Sequence, residues 1–440
     1  MLVTYAAARL IAGLRCERAR KLVFALSVLA VAGLLGMFKY FDSAAALTAR
    51  LFGLGAAPTL GIAAPIGISY YTFTALGYLV DVRRGDFPAE RNLVDYAAAV
   101  TFFPHILLGP IARAGELLPQ FKEKNRFEAA NLAAGAQRFL WGMAKKLLVA
   151  DWAGTLVDTF YNHYADDNAL CIFAAVLLYG VQLYFDFSGY CDMALGVARA
   201  LGFRLQENFA APYFSHSITE LWSRWHISLT GWLRRYVYFP LGGSRRGYAR
   251  KLLNILIVFA VSGLWHGDTL PFLLWGLANG AVRVIEDVWR TRGPKLKAQP
   301  KGIGRWPLSA LKIACAYATW CLIFVLFRAP SLEVAGTVLR RFFAFGEFSL
   351  TALTTRVLVI LRSIVASSDG YIKLNLLVVA AVFLLVMALE RRFAQQPDVR
   401  GGGPLAQLPE AARWAVILFL LAALLCFGWF GSSSFIYYQF

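Results

Sequence analysis

Two of the five histidines in this 440-residue sequence directly follow a tryptophan, His226 in SRWHISLTGW and His266 in SGLWHG. Neutral imidazole accepts a proton near physiological pH, so either side chain can serve as a general base. His266 closes the apolar run 252–265, and an ionisable group at membrane depth is costly enough to suggest function by default. Gly263 and Gly267 flank it, small neighbours that let a substrate chain and a backbone approach closely. His226 falls beside Trp222, Leu229 and Leu233 at helical spacing. It reads either as a substrate-orienting residue or as a satisfied interfacial histidine. His105, His163 and His216 read as structural.

Two carboxylates, Asp186 and Asp192, stand inside another apolar run with Ser188 and Gly189 between them. They either shape a substrate cavity or accept hydrogen bonds from backbone or a nearby arginine and fix a helix break. Other chemistries find no footing. There is no GxSxG elbow and no Ser-His-Asp order, so a covalent serine mechanism lacks support. No HExxH occurs, and the six cysteines form no CxxC, so no metal site is expected and the thiols read as buried and free.

The surroundings of these residues are a membrane protein's. Hydrophobic residues make up 59% of the chain and charged residues only 16%, with apolar runs along the whole length. The formal charge of +18 is gathered between those runs, as the positive-inside rule requires, and no nucleic-acid module accompanies it. The reading is an all-α, polytopic bundle of roughly ten membrane segments, 1–440 forming one integral-membrane domain. Spans are expected near 22–38, 60–80, 93–111, 132–150, 170–203, 252–265, 271–289, 308–328, 374–389 and 412–431. The first follows a basic flank (Arg9, Arg15, Arg18, Arg20, Lys21) and reads as a retained span with its start in the cytoplasm, ending at Lys39. Pro104, Gly109 and Pro110 interrupt the third, and broken helices at such depth line a cavity or pack on protein. The acid-rich stretch with Asp151, Asp158, Asp166 and Asp167 reads as an outside loop. Residues 331–373 are mixed, with room for a short interfacial helix.

The segment 200–251 reads as cytoplasmic and interfacial. Ser217 with Glu220 fits a capping box opening a helix. Ile218, Leu221, Trp222, Trp225, Leu229, Trp232, Leu233 and Tyr236 follow at three- and four-residue spacing, one tryptophan-rich face of a helix lying in the membrane interface. Arg224, Arg234 and Arg235 lie off that face. With Arg245, Arg246 and Lys251 they suit the phosphates of a thioester donor, although ordinary positive-inside charge explains most of them equally well.

At these residues the chain resembles the membrane-bound O-acyltransferase family, in particular its bacterial branch that contains the alginate O-acetylation membrane protein. ITELWSRWHISLTGWLRRYVYFPLGG, QLYFDFSGYCDMALGVARALGF and SGLWHG followed by FLLWGLANG carry the resemblance. PIGISYYTFTALGYLVDVRRG, TFFPHILLGPIAR and the terminal FIYYQF fit as well. Members of this branch usually begin with one or two further apolar segments ahead of the region matching 1–40. The resemblance implies helices around a funnel or tunnel, with His266 as the catalytic residue and His226 as its companion. Trp265, Trp225 and Arg224 would line the substrate cavity with Asp186 and Asp192, and Arg234 and Arg235 would hold the donor. It further implies acetyl transfer from cytoplasmic acetyl-CoA, with no permanently bound cofactor, in the bacterial inner membrane. The final acceptor would be an exported polysaccharide, reached through a periplasmic SGNH-type partner. Three alternatives stay open: a D-alanyl transferase fed by an acyl-carrier protein, an acyltransferase acting on a lipid or protein, and a proton-coupled transporter or flippase.

Overall fold

Gly135 and Gly142 stand seven residues apart on one helix, and Gly189 and Gly196 stand seven apart on another. A Cβ on Gly142 would lie 2.4 Å from the Gly189 carbonyl oxygen, and one on Gly135 2.4 Å from that of Gly196. Only glycine permits so close an approach of two backbones. This contact joins Ala129–Ala144 to Ala169–Ala200, and the rest of the chain is arranged around it.

The computed structural model describes residues 1–55, 57–62, 64–123, 126–293, 305–365, 369–394, 398, 401–431 and 435–436. In chain order the helices are α1 (Leu2–Gly13), α2 (Glu17–Leu51), α3 (Ile68–Arg84), α4 (Leu93–Val100), α5 (Phe103–Ile106), α6 (Ala114–Lys122) and α7 (Ala129–Ala144). A π-helical turn, Lys145–Ala150, leads into α8 (Asp151–Asn162), followed by α9 (Ala169–Ala200), α10 (Ile218–Arg224) and α11 (Ile227–Leu233). A second π-helical turn, Arg234–Tyr238, precedes α12 (Tyr248–His266) and α13 (Leu270–Arg292). The last helices are α14 (Arg305–Arg328), α15 (Leu332–Phe342), α16 (Leu350–Val365), α17 (Asp369–Phe393), α18 (Gly403–Ala406) and α19 (Glu410–Phe427). Lys295, Lys297, Lys301 and residues 437–440 of FIYYQF lie outside the described residues.

The architecture is all-α and polytopic. Among the described residues six helices are long and apolar enough to cross a membrane: α2, α9, α12, α14, α17 and α19. They coincide with six of the ten expected spans, and the other four differ for local reasons. The span expected at 60–80 begins only at Ile68, because Gly67 takes a left-handed conformation (φ 75°) and a Cβ there would meet the Ile106 carbonyl. The region 93–111 is two short helices, α4 and α5, parted at the residues around Pro104. The expected span 132–150 is α7 plus a π-turn that carries two lysines, and α13 holds too many charges to qualify.

Three further expectations are corrected. The first span does not end at Lys39 but runs on to Leu51, placing that lysine mid-helix. Residues 151–162 are helical and not an outside loop: Asp151 is buried and accepts from Lys146 Nζ (2.7 Å). Ser188 and Gly189 break nothing, since α9 is continuous for 32 residues. About two thirds of its most apolar stretch is buried inside the protein, more than in the other five membrane-length helices, so α9 is the central post. Its carboxylates are matched by α7 and the π-turn. Asp192 accepts from Arg138 and from Lys145 (2.6 Å each), and Asp186 accepts from Lys146 (2.7 Å) and from the Ile436 backbone N–H (2.9 Å). Arg138 also reaches Glu207 and Asp398, and Lys145 reaches Glu390. Desolvation makes such charges expensive singly, so their partners hold the α7–α9 register.

Candidate active site

The tryptophan-rich segment is not one helix. Ser217 caps α10 by accepting from Glu220 N (3.1 Å), as the capping box predicts, but α10 stops at Arg224. Trp225 is extended and His226 adopts the left-handed region (φ 44°), rare for a side-chain-bearing residue and characteristic of functional sites. The break is held by pairing with the segment just after α9: Ala210 N donates to Arg224 O and Ile227 N to Asn208 O (3.0 Å each). The turn sends both tryptophans into protein and not into a lipid interface. Trp222 packs on Phe259, Trp275 and Trp320 and donates to Asn279 Oδ1 (3.1 Å), while Trp225 packs on Trp320, Phe209 and Tyr213.

His226 and His266 converge on one side chain. Trp265 lies with its ring centroid 6.3 Å from His226 and 4.8 Å from His266. Its indole also meets Tyr70 and Phe73 of α3. His266 is the last residue of α12, 5% exposed, and its imidazole edges onto Trp275 of α13 (5.0 Å) and Phe327 of α14 (5.3 Å). Lys39 of α2 donates to the backbone carbonyls of Trp265 and His266, a cation at the helix C-terminus where the dipole favours it. Gly263 and Gly267 do not make room for substrate. A Cβ at Gly263 would meet the Phe272 carbonyl at 2.4 Å, and one at Gly267 the Phe272 ring at 2.1 Å, so both serve the α12–α13 contact.

His226 is 1% exposed and touches Phe187 of α9 edge-on (4.8 Å). Burial lowers its imidazole to about 3, which keeps it neutral. Its Nδ1 lies 3.3 Å from Asn208 Oδ1, whereas its Nε2 is buried with no hydrogen-bond partner among the described residues.

A cavity of about 350 Å³ lies along α12, and neither histidine lines it. Lys251, Ile255, Val258 and Ser262 form its α12 wall, spaced four, three and four residues apart. At a rise of about 1.5 Å per residue that wall is about 16 Å long, and His266 is the next position on the stripe, one turn beyond Ser262. Trp222, Leu229 and Leu233 line the apolar body, and Arg234, Lys251, Arg283 and Arg290 face one carboxylate, Asp287, at the far end. The shape suits a slender apolar arm with an anionic head. Of the arginines picked out in the sequence, only Arg234 lines it. Arg224 donates to Glu220 (2.6 Å), and Arg235 reaches away to Asp81 (3.0 Å) and Asp86 (2.6 Å). Asp192 lines a separate polar cavity of about 160 Å³ with Arg138, Lys145 and Glu390, and Asp186 is tied to Lys146. The structure therefore gathers His226, His266 and Trp265, sets Arg234 in the α12 cavity, and leaves Asp186, Asp192, Arg224 and Arg235 in supporting ion pairs.

The sequence reading passed over Asn208, Arg283 and Lys145 with Lys146. The lysine pair inside an apolar run was a visible signal. Asn208 carries none, since nothing local distinguishes it from a loop residue. His105 Nε2 donates to Ala99 O (3.1 Å), and His216 contacts Ser309 Oγ (2.7 Å).

A buried histidine pair, with one member a helical turn beyond an apolar cavity with cationic lining, is an arrangement that could move a proton beside an apolar, anion-tailed substrate. Residues 87–327, which contain all of it, match the profile of the MBOAT, membrane-bound O-acyltransferase family. The chain belongs to the membrane-bound O-acyltransferase family. It is 35% identical to the probable alginate O-acetylase AlgI of Azotobacter vinelandii, across 98% of this chain and 87% of that protein. It is 36% identical to the protein of the same name from Pseudomonas aeruginosa, across 92% of this chain and 76% of that one. It is 31% identical to the peptidoglycan O-acetyltransferase of Helicobacter pylori, across 76% and 67% respectively. Like other members of the family, the chain is a multi-pass membrane O-acyltransferase, which sets the transporter reading aside.

Proposed function

We propose that this membrane-bound O-acyltransferase moves acetyl groups from cytoplasmic acetyl-CoA across the bacterial inner membrane for O-acetylation of an exported, alginate-like polysaccharide. The observation that supports the reading is the stripe Lys251–Ile255–Val258–Ser262, which lines a cavity with cationic residues and has His266 one helical turn beyond it on the same helix. The phosphates of the donor sit against Arg234, Arg283, Lys251 and Arg290, and its thioester arm extends along α12. At the closed end the acceptor oxygen attacks the thioester carbonyl carbon, the C–S bond breaks and an ester C–O bond forms. His266 takes the hydroxyl proton and returns it to the departing thiolate, and His226 orients the reactants. Asp186 and Asp192 shape the core behind the site. The names of the relatives support the acceptor class, and acetyl reaches it through a periplasmic SGNH-type partner.

Membrane vesicles given radiolabelled acetyl-CoA test this. Label entering polysaccharide or a periplasmic protein with wild-type protein, and vanishing with His266→Ala at equal membrane content, is the expected result. Equal transfer by both proteins removes His266 from the reaction. Transfer only from an acyl-carrier thioester moves the donor from free coenzyme to a carrier protein.

A further inference from the structure

Asn208 is 1% exposed and lies in the extended segment between α9 and α10. Its Oδ1 is 3.1 Å from Ser228 N, 2.8 Å from Ser228 Oγ and 3.3 Å from His226 Nδ1, and its Nδ2 is 3.3 Å from Cys191 Sγ. A backbone N–H only donates, so the amide atom that faces Ser228 N has to be the oxygen. The Ser228 hydroxyl accepts from Ile111 N (3.0 Å) and gives its own proton to the same oxygen. That oxygen has nothing to donate. The imidazole nitrogen opposite it must carry a proton, and a neutral imidazole protonated on Nδ1 has a bare lone pair on Nε2. His226 Nε2 is buried and has no hydrogen-bond partner among the described residues.

We propose that Asn208 is a positioning residue that holds His226 protonated on Nδ1, so that its bare Nε2 receives the hydroxyl of the acyl acceptor and not the thioester carbonyl of the donor. The inference rests on the acyl-transfer reading above and divides the labour within it. A carbonyl oxygen presents only lone pairs and is repelled by a bare nitrogen, whereas a hydroxyl has a proton to offer. Before reaction the single hydroxyl proton points to His226 Nε2, which fixes the oxygen; the O–H then turns to His266, which takes that proton as the C–O bond forms and the C–S bond breaks. The left-handed backbone at His226 and the pairing of Ile227 N with Asn208 O keep the ring in place. The ionisable groups that bear on His226 are His266 of α12 and, behind Asn208, the Cys191 thiol of α9.

The experiment compares wild type, His266→Ala, Asn208→Asp and Asn208→Leu for transfer from radiolabelled acetyl-CoA in membrane vesicles between pH 5 and 8. Gel filtration in detergent checks that each variant is folded. Wild-type transfer that His266→Ala removes carries the underlying reading, and the Asn208 variants then judge the inference separately. In Asn208→Asp the new carboxylate favours the imidazolium, which has no lone pair on Nε2. Its activity should approach wild type at pH 8 and fall by about tenfold per pH unit below the raised pKa, at higher pH than any wild-type acid limb. Asn208→Leu should lose transfer at every pH. A wild-type pH profile in Asn208→Asp, or full transfer by folded Asn208→Leu, overturns the assignment. If the leucine variant does not fold, the profile of the aspartate variant decides alone.

Discussion

The imidazoles of His226 and His266 pack on one indole, that of Trp265, with ring centroids 6.3 and 4.8 Å away. They reach it from different parts of the chain, one from a left-handed break between two short helices and the other from the end of a membrane span. Trp265 therefore sets the distance between them. Replacing it with alanine keeps both histidine side chains but removes the ring that spaces them, and misplacement of about 1 Å can cost about 10²-fold in rate. Initial rates of labelled acetyl transfer by Trp265→Ala should fall by about that factor, with unchanged membrane content. A rate within threefold of wild type, by order of magnitude, shows that the indole is not the spacer.

The basic mouth separates two neighbours. Arg234 lines the cavity, whereas Arg235 is committed to Asp81 of α3 and to Asp86 just beyond its end. Arg234→Gln or Arg283→Gln should raise the donor KM by about tenfold, the worth of one charge-assisted hydrogen bond to phosphate. Arg235→Gln should leave the donor KM alone. Steady-state kinetics with acetyl-CoA as the varied substrate distinguish them, and equal effects from Arg234 and Arg235 contradict the placement of the donor.

Asp192 neutralises two buried cations, Arg138 and Lys145. Asp192→Ala leaves both facing a poorer set of partners in a core that excludes water. The expected loss is about 3–5 kcal/mol of stability, read as a lowered midpoint of thermal unfolding in detergent. Asp192→Asn, which keeps the shape, should also destabilise. A midpoint unchanged in both variants means that Glu207, Glu390 and Asp398 suffice.

The α7–α9 contact leaves no room for even one methyl group at Gly142, whose added Cβ would sit 2.4 Å from the Gly189 oxygen. Gly142→Ala should cost about 1–3 kcal/mol through overpacking, and Gly142→Leu should abolish a monodisperse product. Gly231, where a Cβ meets nothing within 4 Å, is the control and should tolerate alanine. Fluorescence-detected gel filtration after graded heating reads all three.

Acid should weaken the fold through His226. Its folded pKa is lowered by burial to about 3, against an ordinary value of 6.5. Between those values the unfolded chain takes up a proton that the folded chain refuses, so stability falls as pH drops from 6.5 towards 3. From pH 7 to pH 5 the loss from this one group is about 2 kcal/mol. His226→Gln should show a correspondingly smaller drop in unfolding midpoint across that range. An identical drop would place the acid sensitivity elsewhere.

The membrane character of this chain, its central carboxylates and both histidines are legible in the sequence, because they depend on local composition. An apolar run shows itself by length, and a charge or imidazole inside one stands out because hydrocarbon penalises it. What the sequence could not display was partnership. Nothing near Lys145 and Lys146 names Asp192 and Asp186 as their counter-ions, because the pairing is made by two glycine pairs that bring α7 onto α9. The periodicity of residues 218–236 predicts one straight helix, whereas the backbone bends at His226 to bury Trp222 and Trp225 together. Propensity is a few tenths of a kcal/mol per residue, and burying two indoles outweighs it. Asn208 is the clearest case. Its role comes from a hydrogen bond to a ring eighteen residues later, across a turn that only the packed fold creates.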